Sequence, residues 1–513
     1  MEPRDHLERF ADRPAVHMTG SDVVLTYRDL DERSKQLAQL LRARGLRRGD
    51  HVAILMENHP RYFEVFWAAI RSGLHLTPVN WHLKPEEAGY IIGDCGARAL
   101  ITSSTLASLA AELEPAMGAV EIRLCVDGTI PGFESFESYE NAIAGYPAEP
   151  LDHEVEGAIM FYSSGTTGRP KGIKRRLLDD AFGTGGGAML QLIQYAYGFS
   201  ENTRYLCPAP IYHAAPLGWS TTVQRMGGCV MMMERFDAEN ALAQIEKHHI
   251  THAQFVPTHF VRMLKLDEQT RNAYDLSSLE VAVHAAAPCP VDVKKRMMDW
   301  WGPKLYEYYA GSEGNGFVAV GPEDWLAHPG TVGRPMHGKI HICDEDGVEL
   351  RPGEAGQIWF DSGVVFEYHN DPTKTAKTFN TQGWSSLGDV GYVDEEGYLF
   401  LTDRMSHMII SGGVNIYPQE VENELTMHPD VADVAVIGVP NDDLGEEVKA
   451  VVIATDPTKA GPVLEAELIA YCRSRLAHFK CPVSVDFVTE LPRLPTGKLF
   501  KRELIARYRT PAD

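Results

Sequence analysis

Short apolar runs that read as buried strands alternate with amphipathic helical stretches along most of the chain. That alternation limits the fold more than any other feature. Leu37, Leu40 and Leu41 recur at helical spacing before Gly45, a helix stop, and residues 51–56 then read as a buried strand. Pro85-Glu86-Glu87 has the form of a helix start, with proline in the first turn and acids at the positive end of the dipole. Residues 99–102 read as the next strand. The rhythm predicts an α/β protein with substantial parallel sheet. A chain of 513 residues has room for about three to four structural units.

Composition removes several function classes. Lys+Arg is 48 against Asp+Glu 71, a formal charge of −23, so nucleic acid is not an expected partner. An anionic small ligand is compatible, provided local cations overcome the repulsive global field. The eight cysteines are scattered without a CxxC pair, which favours reduced thiols over a disulfide framework or zinc knuckle. The N-terminal residues lack a signal-peptide apolar core, and no run approaches the roughly 20 apolar residues of a membrane span. A cytoplasmic location is the expectation, with the oligomeric state, a homodimer included, left open.

Two stretches interrupt the rhythm. Residues 162–172 are dense in Ser, Thr and Gly and follow the apolar, strand-like run Ala158-Ile159-Met160-Phe161. Glycines allow a backbone to approach phosphate with its N–H groups turned inward, hydroxyls add donors, and Lys171 supplies a point charge. The string is not GxxxxGK[ST], so the common triphosphatase loop is not implied. The second stretch, 403–418, sets a charged pair before an Ile-rich strand and Ser411-Gly412-Gly413. Helix 418–427, strands 431–439 and 448–455 and helix 464–476 follow, enough for a small α+β domain. The expected division is 1–403 and 404–513, with the boundary at 404–407.

Five motifs in order resemble the adenylate-forming superfamily of acyl-CoA synthetases, peptide-synthetase adenylation domains and firefly-type luciferases. Ser163-Ser164-Gly165-Thr166-Thr167-Gly168-Arg169-Pro170-Lys171 resembles the family's phosphate loop. Tyr309-Ala310-Gly311-Ser312-Glu313 resembles its Tyr-Gly-x-Thr-Glu motif, and residues 384–389 its Gly-Asp motif. Residues 403–418 resemble its hinge and Gly-Gly loop, and Leu494-Pro495-Thr496-Gly497-Lys498 its C-terminal lysine motif.

The resemblance implies a large N-terminal domain of stacked mixed and parallel sheets with helices, and a small mobile C-terminal domain. It implies ATP, Mg²⁺ and coenzyme A as co-substrates and cofactor, with a small carboxylic acid as the other substrate. Two anions meet when a carboxylate attacks the α-phosphorus, so the site must neutralise charge. By resemblance Lys498 bridges carboxylate and α-phosphate, and Glu313 and Thr166 hold Mg²⁺, which needs few protein ligands. Ser163, Ser164, Gly165, Thr167, Gly168 and Lys171 cradle phosphates, while Ala310, Gly311 and Ser312 line the nucleotide. Tyr309 offers a face to adenine opposite Ala285, Ala286, Ala287 and Pro288. Asp389 accepts from the ribose hydroxyls, with Arg404 near ribose or phosphates. His213 and Gly314 border the acyl pocket, Gly412 and Gly413 line the pantetheine passage, and Ser406 is the pivot. Lys480 and Arg473 are candidate contacts for CoA phosphates.

Some positions depart from the family pattern. Ala310 and Ser312 are small changes, Leu387 stands where Thr precedes Gly-Asp, and Ser406-His407 makes the pivot uncharged. Lys174-Arg175-Arg176 is either a triphosphate contact or a solvated basic turn. His248, His249 and His252 lack a carboxylate partner pattern and do not read as a metal site. No carrier segment follows Lys498, which favours a stand-alone acyl-CoA synthetase. No acid is found where relatives hold a substrate ammonium, and Ala214, Ala215, Gly314 and Gly316 are small. A medium, long or bulky apolar acid is therefore expected over acetate or an amino acid. A ligase loading a separate carrier or an amine, and an inactive adenylate-binding homologue, are the alternatives.

Overall fold

The computed structural model describes residues 1–163, 170–185, 187–404, 407–411, 414–441, 443–493 and 499–509. It forms two compact units: Met1–Phe255 with Leu266–Ala282 and Val365–Lys377, and Val256–Lys265 with Val283–Val364 and Thr378–Asp513. The α/β expectation holds. No helix among the described residues is long and apolar enough to cross a membrane.

The first unit contains a parallel sheet in the order Glu137–Ser138, Ile122–Val126, Ala97–Ser103, His51–Leu55, His75–Val79, Ala158–Ile159. Its central strands His51–Leu55 and His75–Val79 are buried at every position. Such strands need cover on both faces, which is why they read as continuous apolar runs. Helix Tyr27–Ala43 begins at a Thr26/Asp29 capping box and ends before Gly45, whose φ of 94° suits glycine. Helix Pro85–Asp94 starts at the predicted proline. A second group of strands, His252–Phe255, Arg204–Cys207, Cys229–Met232 and Pro14–Met18, is parallel, with Val24–Thr26 antiparallel at its end.

In the second unit, Lys339–Cys343, Gly356–Asp361, Asp389–Val393 and Leu399–Arg404 make an antiparallel sheet. Further along the chain, Val414–Ile416, Ile409–Ser411, Gly445–Ala454 and Val431–Asn441 form another, with Ser484–Phe487 joining Gly445–Ala454 in parallel. The period of two decides which face each residue covers. Val434, Val436, Ala450 and Val452 pack with Leu425, Leu464 and Leu468. Ala435, Ile437, Val439 and Val451 pack with Leu491 and Leu504. The described residues between 409 and 504 thus place one sheet between two apolar cores.

One buried pair in the parallel sheet makes stability depend on pH. His51 and His75 are register partners on adjacent strands, with rings stacked at 4.6 Å. Burial, reinforced for His51 by His75 and for both by Lys174 and His369, holds His51 at about 3 and His75 at about 4, against an ordinary 6.5. Both are neutral in the fold at pH 7. Below about pH 6.5 the unfolded chain takes up protons that the fold refuses, so stability falls as pH drops toward 4. The slope per histidine approaches about 1.4 kcal/mol per pH unit. Urea unfolding at pH 7 and pH 5 should show the loss, and His51→Gln should shrink it. An identical pH difference in wild type and variant would contradict this.

Candidate active site

The apolar run before the phosphate loop is two strands rather than one. Ala158–Ile159 extends the parallel sheet beside His75, whereas Phe161–Ser163 turns into a small antiparallel sheet with Lys171–Lys174. Met160, fully buried, sits at the change of partner, its N–H donating to the Leu76 carbonyl at 2.8 Å. Ser164, Gly165, Thr166, Thr167 and Gly168 lie outside the described residues, as does the Ser163 side chain. The flanks of that segment are fixed. Ser163 is opposite Lys171 and Tyr162 opposite Gly172. A Cβ at Gly172 would lie 3.0 Å from the Tyr162 ring and 3.2 Å from the His369 Cβ. Tyr162 donates to Asp94 Oδ2 at 2.6 Å, and burial together with that carboxylate keeps the phenol protonated. Lys171 Nζ donates to Asp371 Oδ2 at 2.6 Å.

The nucleotide motifs lie in the second unit. Strand Val281–His284 runs into Ala285-Ala286-Ala287-Pro288, where Ala286 has a φ of 75°. A residue with a Cβ pays for that conformation, and such positions cluster at functional sites. Directly before it, His284 is fully buried, its Nε2 3.5 Å from Glu307 Oε2, and Lys294 Nζ donates to the same oxygen at 2.7 Å. Burial keeps His284 well below its ordinary value and raises Glu307, which Lys294 opposes.

Glu307 and Tyr309 share strand Leu305–Tyr309. The Tyr309 hydroxyl donates to Asp389 Oδ2 at 2.6 Å, and Asp389 is only 7% exposed. Gly388, at φ 81°, turns the chain into Asp389, and Ser386 Oγ accepts from the Gly388 N–H at 3.2 Å. A Cβ at Gly311 would lie 2.2 Å from Leu387 Cδ1, 2.9 Å from Glu313 Oε2 and 3.3 Å from Asn315 Oδ1. Bare backbone at Gly311 therefore lets the Gly-Asp motif and the Glu313 carboxylate converge. Leu387, the departure from Thr, fills that notch with apolar volume. Gly314, at φ 69°, closes the turn with its N–H on the Gly311 carbonyl at 3.0 Å. Glu313 is buried, while Ala310 is half-buried and Ser312 exposed. Arg404 is the register partner of Asp389, its side chain outside the described residues.

Lys498, Ser406, Gly412 and Gly413 lie outside the described residues. On either side of 494–498, Arg493 bridges Leu499, and Arg493 Nε holds Asp433 Oδ2 at 2.6 Å. Lys480, a candidate CoA contact, is held by Glu420 at 2.5 Å. In the first unit His213 precedes helix Ala214–Arg225. Its ring lies 4.2 Å from that of Tyr212, its Nε2 is buried with no hydrogen-bond partner among the described residues, and burial, then His82, hold it at about 3. His252 hydrogen-bonds the Tyr197 carbonyl and Thr251, and His249 ends a helix at φ 48°, so both have structural work.

Asp94 and Asp371 went unrecognised in the sequence. Neither stands in a motif, and the Lys171 pairing spans 200 residues. The one local signal was Asp371 before Pro372, the form of a helix cap.

The chain belongs to the AMP-binding enzyme family, a family of adenylate-forming acid ligases: that family's model matches residues 3–368, and the model of the AMP-binding enzyme C-terminal domain matches 420–498. It is 34% identical over 512 residues to a feruloyl-CoA synthase from an Amycolatopsis species, covering 97% of each chain. It is 32% identical to the fatty acid–[acyl-carrier-protein] ligase ScoC of Streptomyces coeruleorubidus, covering 98% of this chain and 95% of that one. The solved structure of the anthranilate CoA ligase AuaEII in complex with anthranoyl-AMP matches with a TM-score of 0.85 at 26% identity, covering 99% and 97%. The chain is an AMP-forming acid ligase.

Two substitutions test the second-unit geometry. Tyr309→Phe removes the donor to a buried carboxylate and should lower kcat/KM for ATP about tenfold or more. Gly311→Ala pushes a methyl into Leu387 and Glu313 and should lower it further. Initial rates of pyrophosphate release check both, and unchanged rates in Gly311→Ala would show that Glu313 and Leu387 need not converge.

Proposed function

We propose that this protein activates a carboxylic acid with ATP as an acyl-adenylate and passes the acyl group to coenzyme A. The observation that carries the reading is the Tyr309–Asp389 bond at 2.6 Å, with Gly311 bringing Glu313 beside the same motif. In this reading Asp389 receives the ribose hydroxyls, and Tyr309 orients that carboxylate while presenting its ring to adenine. Ala286, Ala287 and Pro288 give the opposite wall. Glu313 is a buried hard-oxygen donor, which fits Mg²⁺, and Thr166 would complete its protein ligands. Bound there, Mg²⁺ neutralises phosphate charge. Ser163, Ser164, Gly165, Thr167, Gly168 and Lys171 bind the phosphates, Arg404 serves the ribose or the phosphates, and Lys498 orients the carboxylate against the α-phosphorus.

The acid is medium, long or bulky and apolar. His213, neutral and with a buried nitrogen that has no hydrogen-bond partner among the described residues, and the small Ala214 and Ala215 support an apolar lining. The relatives named for ferulate and fatty acids are consistent with that range. Residues 404–513 turn about Ser406 between half-reactions, withdrawing Lys498 and bringing Gly412 and Gly413 to the thiol. The similarity to ScoC favours one second reading, transfer to a separate carrier protein. The eight cysteines are free, which suits a reducing cytoplasm.

Lys498→Ala separates the halves. Adenylate formation should fall about a hundredfold or more, the scale of removing a preorganised charge. Thioester formation from supplied acyl-AMP and CoA should persist. Equal loss of both halves contradicts the assignment, and transfer only to a carrier protein replaces CoA as acceptor.

A further inference from the structure

Lys171 follows the phosphate loop, and a lysine on a strand end ordinarily samples many rotamers and loses that freedom when fixed. Here the fold supplies a counter-charge. Strand Glu367–Tyr368 pairs with Lys171–Lys174 on the side away from Phe161–Ser163, Ile173 opposite Tyr368 and Lys174 opposite Glu367. The His369 N–H continues that contact onto the Gly172 carbonyl at 2.7 Å. Asn370, at φ 56°, then reverses the chain, with its amide 3.3 Å from Asp94 Oδ1. That reversal sets Asp371 beside Lys171.

Asp371 is itself seated. Its Oδ1 accepts from the Lys374 N–H at 2.8 Å, at the start of helix Pro372–Thr378, and its carbonyl accepts from the Thr375 N–H at 3.1 Å. Thr375 Oγ1 in turn accepts from the Tyr368 N–H at 2.9 Å, locking the helix start to the strand. One carboxylate oxygen therefore belongs to the helix cap and the other to Lys171. An isolated surface ion pair adds little, but an acceptor fixed by the backbone dictates where the ammonium points.

We propose that Asp371 is a positioning residue for adenylation: its fixed carboxylate aims the Lys171 ammonium beside the phosphate loop. The inference rests on the reading of Lys171 as a phosphate contact. On binding, the triphosphate meets a lysine already directed, and less side-chain freedom is lost.

The test is a double-mutant cycle on the full chain, read by acid-dependent ATP–pyrophosphate exchange and thermal melting. Asp371→Asn keeps the cap, since asparagine caps helices as well as aspartate, but loses the charge that holds Lys171. It should melt as wild type, lower kcat/KM for ATP about tenfold and leave KM for the acid unchanged. In a Lys171→Met background the same change should have no further effect, because its target is gone. If Asp371→Asn is neutral or tightens ATP, or if the two losses add, the positioning role is overturned while Lys171 keeps its place. If Lys171→Met alone leaves ATP use unchanged, the phosphate-contact reading is overturned and the inference with it.

Discussion

A carboxylate taken out of water needs a fixed donor, and Asp389 has one in the Tyr309 hydroxyl at 2.6 Å. The bond joins the ends of two strands, Leu305–Tyr309 and Asp389–Val393, that belong to different sheets. The neighbouring choices follow from holding those ends together. Gly388 supplies the positive φ that turns into Asp389. Gly311 leaves the space that Leu387 and Glu313 occupy. Behind Tyr309, Glu307 of the same strand pairs with the buried Lys294 of helix Val291–Trp301 and lies against His284, which leads into the strained Ala286. Breaking either partner of such a pair would strand a charge in the interior, so Tyr309 and the turn at Ala286 rest on one buried base.

The residues flanking the glycine-rich segment of the first unit obey a different constraint. The chain carries −23 overall, so an anionic nucleotide depends on a few placed cations. The small sheet containing Phe161–Ser163 and Lys171–Lys174 is pinned at both flanks of the loop by carboxylates, Asp94 through Tyr162 and Asp371 through Lys171. Acidic side chains at the flanks of a segment proposed to bind phosphate look counterproductive until their partners are identified: one anchors a phenol, the other a lysine.

Much of this was legible in the amino-acid sequence, for physical reasons. Doubly covered parallel strands are apolar throughout, so residues 51–56 and 99–102 announced themselves, and the structure places strands at His51–Leu55 and Ala97–Ser103. Caps and stops such as Pro85 and Gly45 act over a few residues and are read locally. The run 158–161 misled because apolar character does not record a change of partner, and the chain switches sheets at Met160. Asp94 and Asp371 were illegible because a long-range pairing leaves no trace in local pattern. The strain at Ala286 was hidden for the same reason: a small residue is tolerated in many conformations and advertises none.

In the proposed reaction the acyl-adenylate forms before any acceptor is engaged. The direct measurement is ATP–pyrophosphate exchange without CoA over a panel running from acetate through ferulate to long-chain fatty acids. Exchange should appear only when an acid is present and should be strongest for the bulky or longer apolar acids. A well-folded protein that binds ATP yet exchanges with no acid, or exchanges only once CoA is added, would contradict the account.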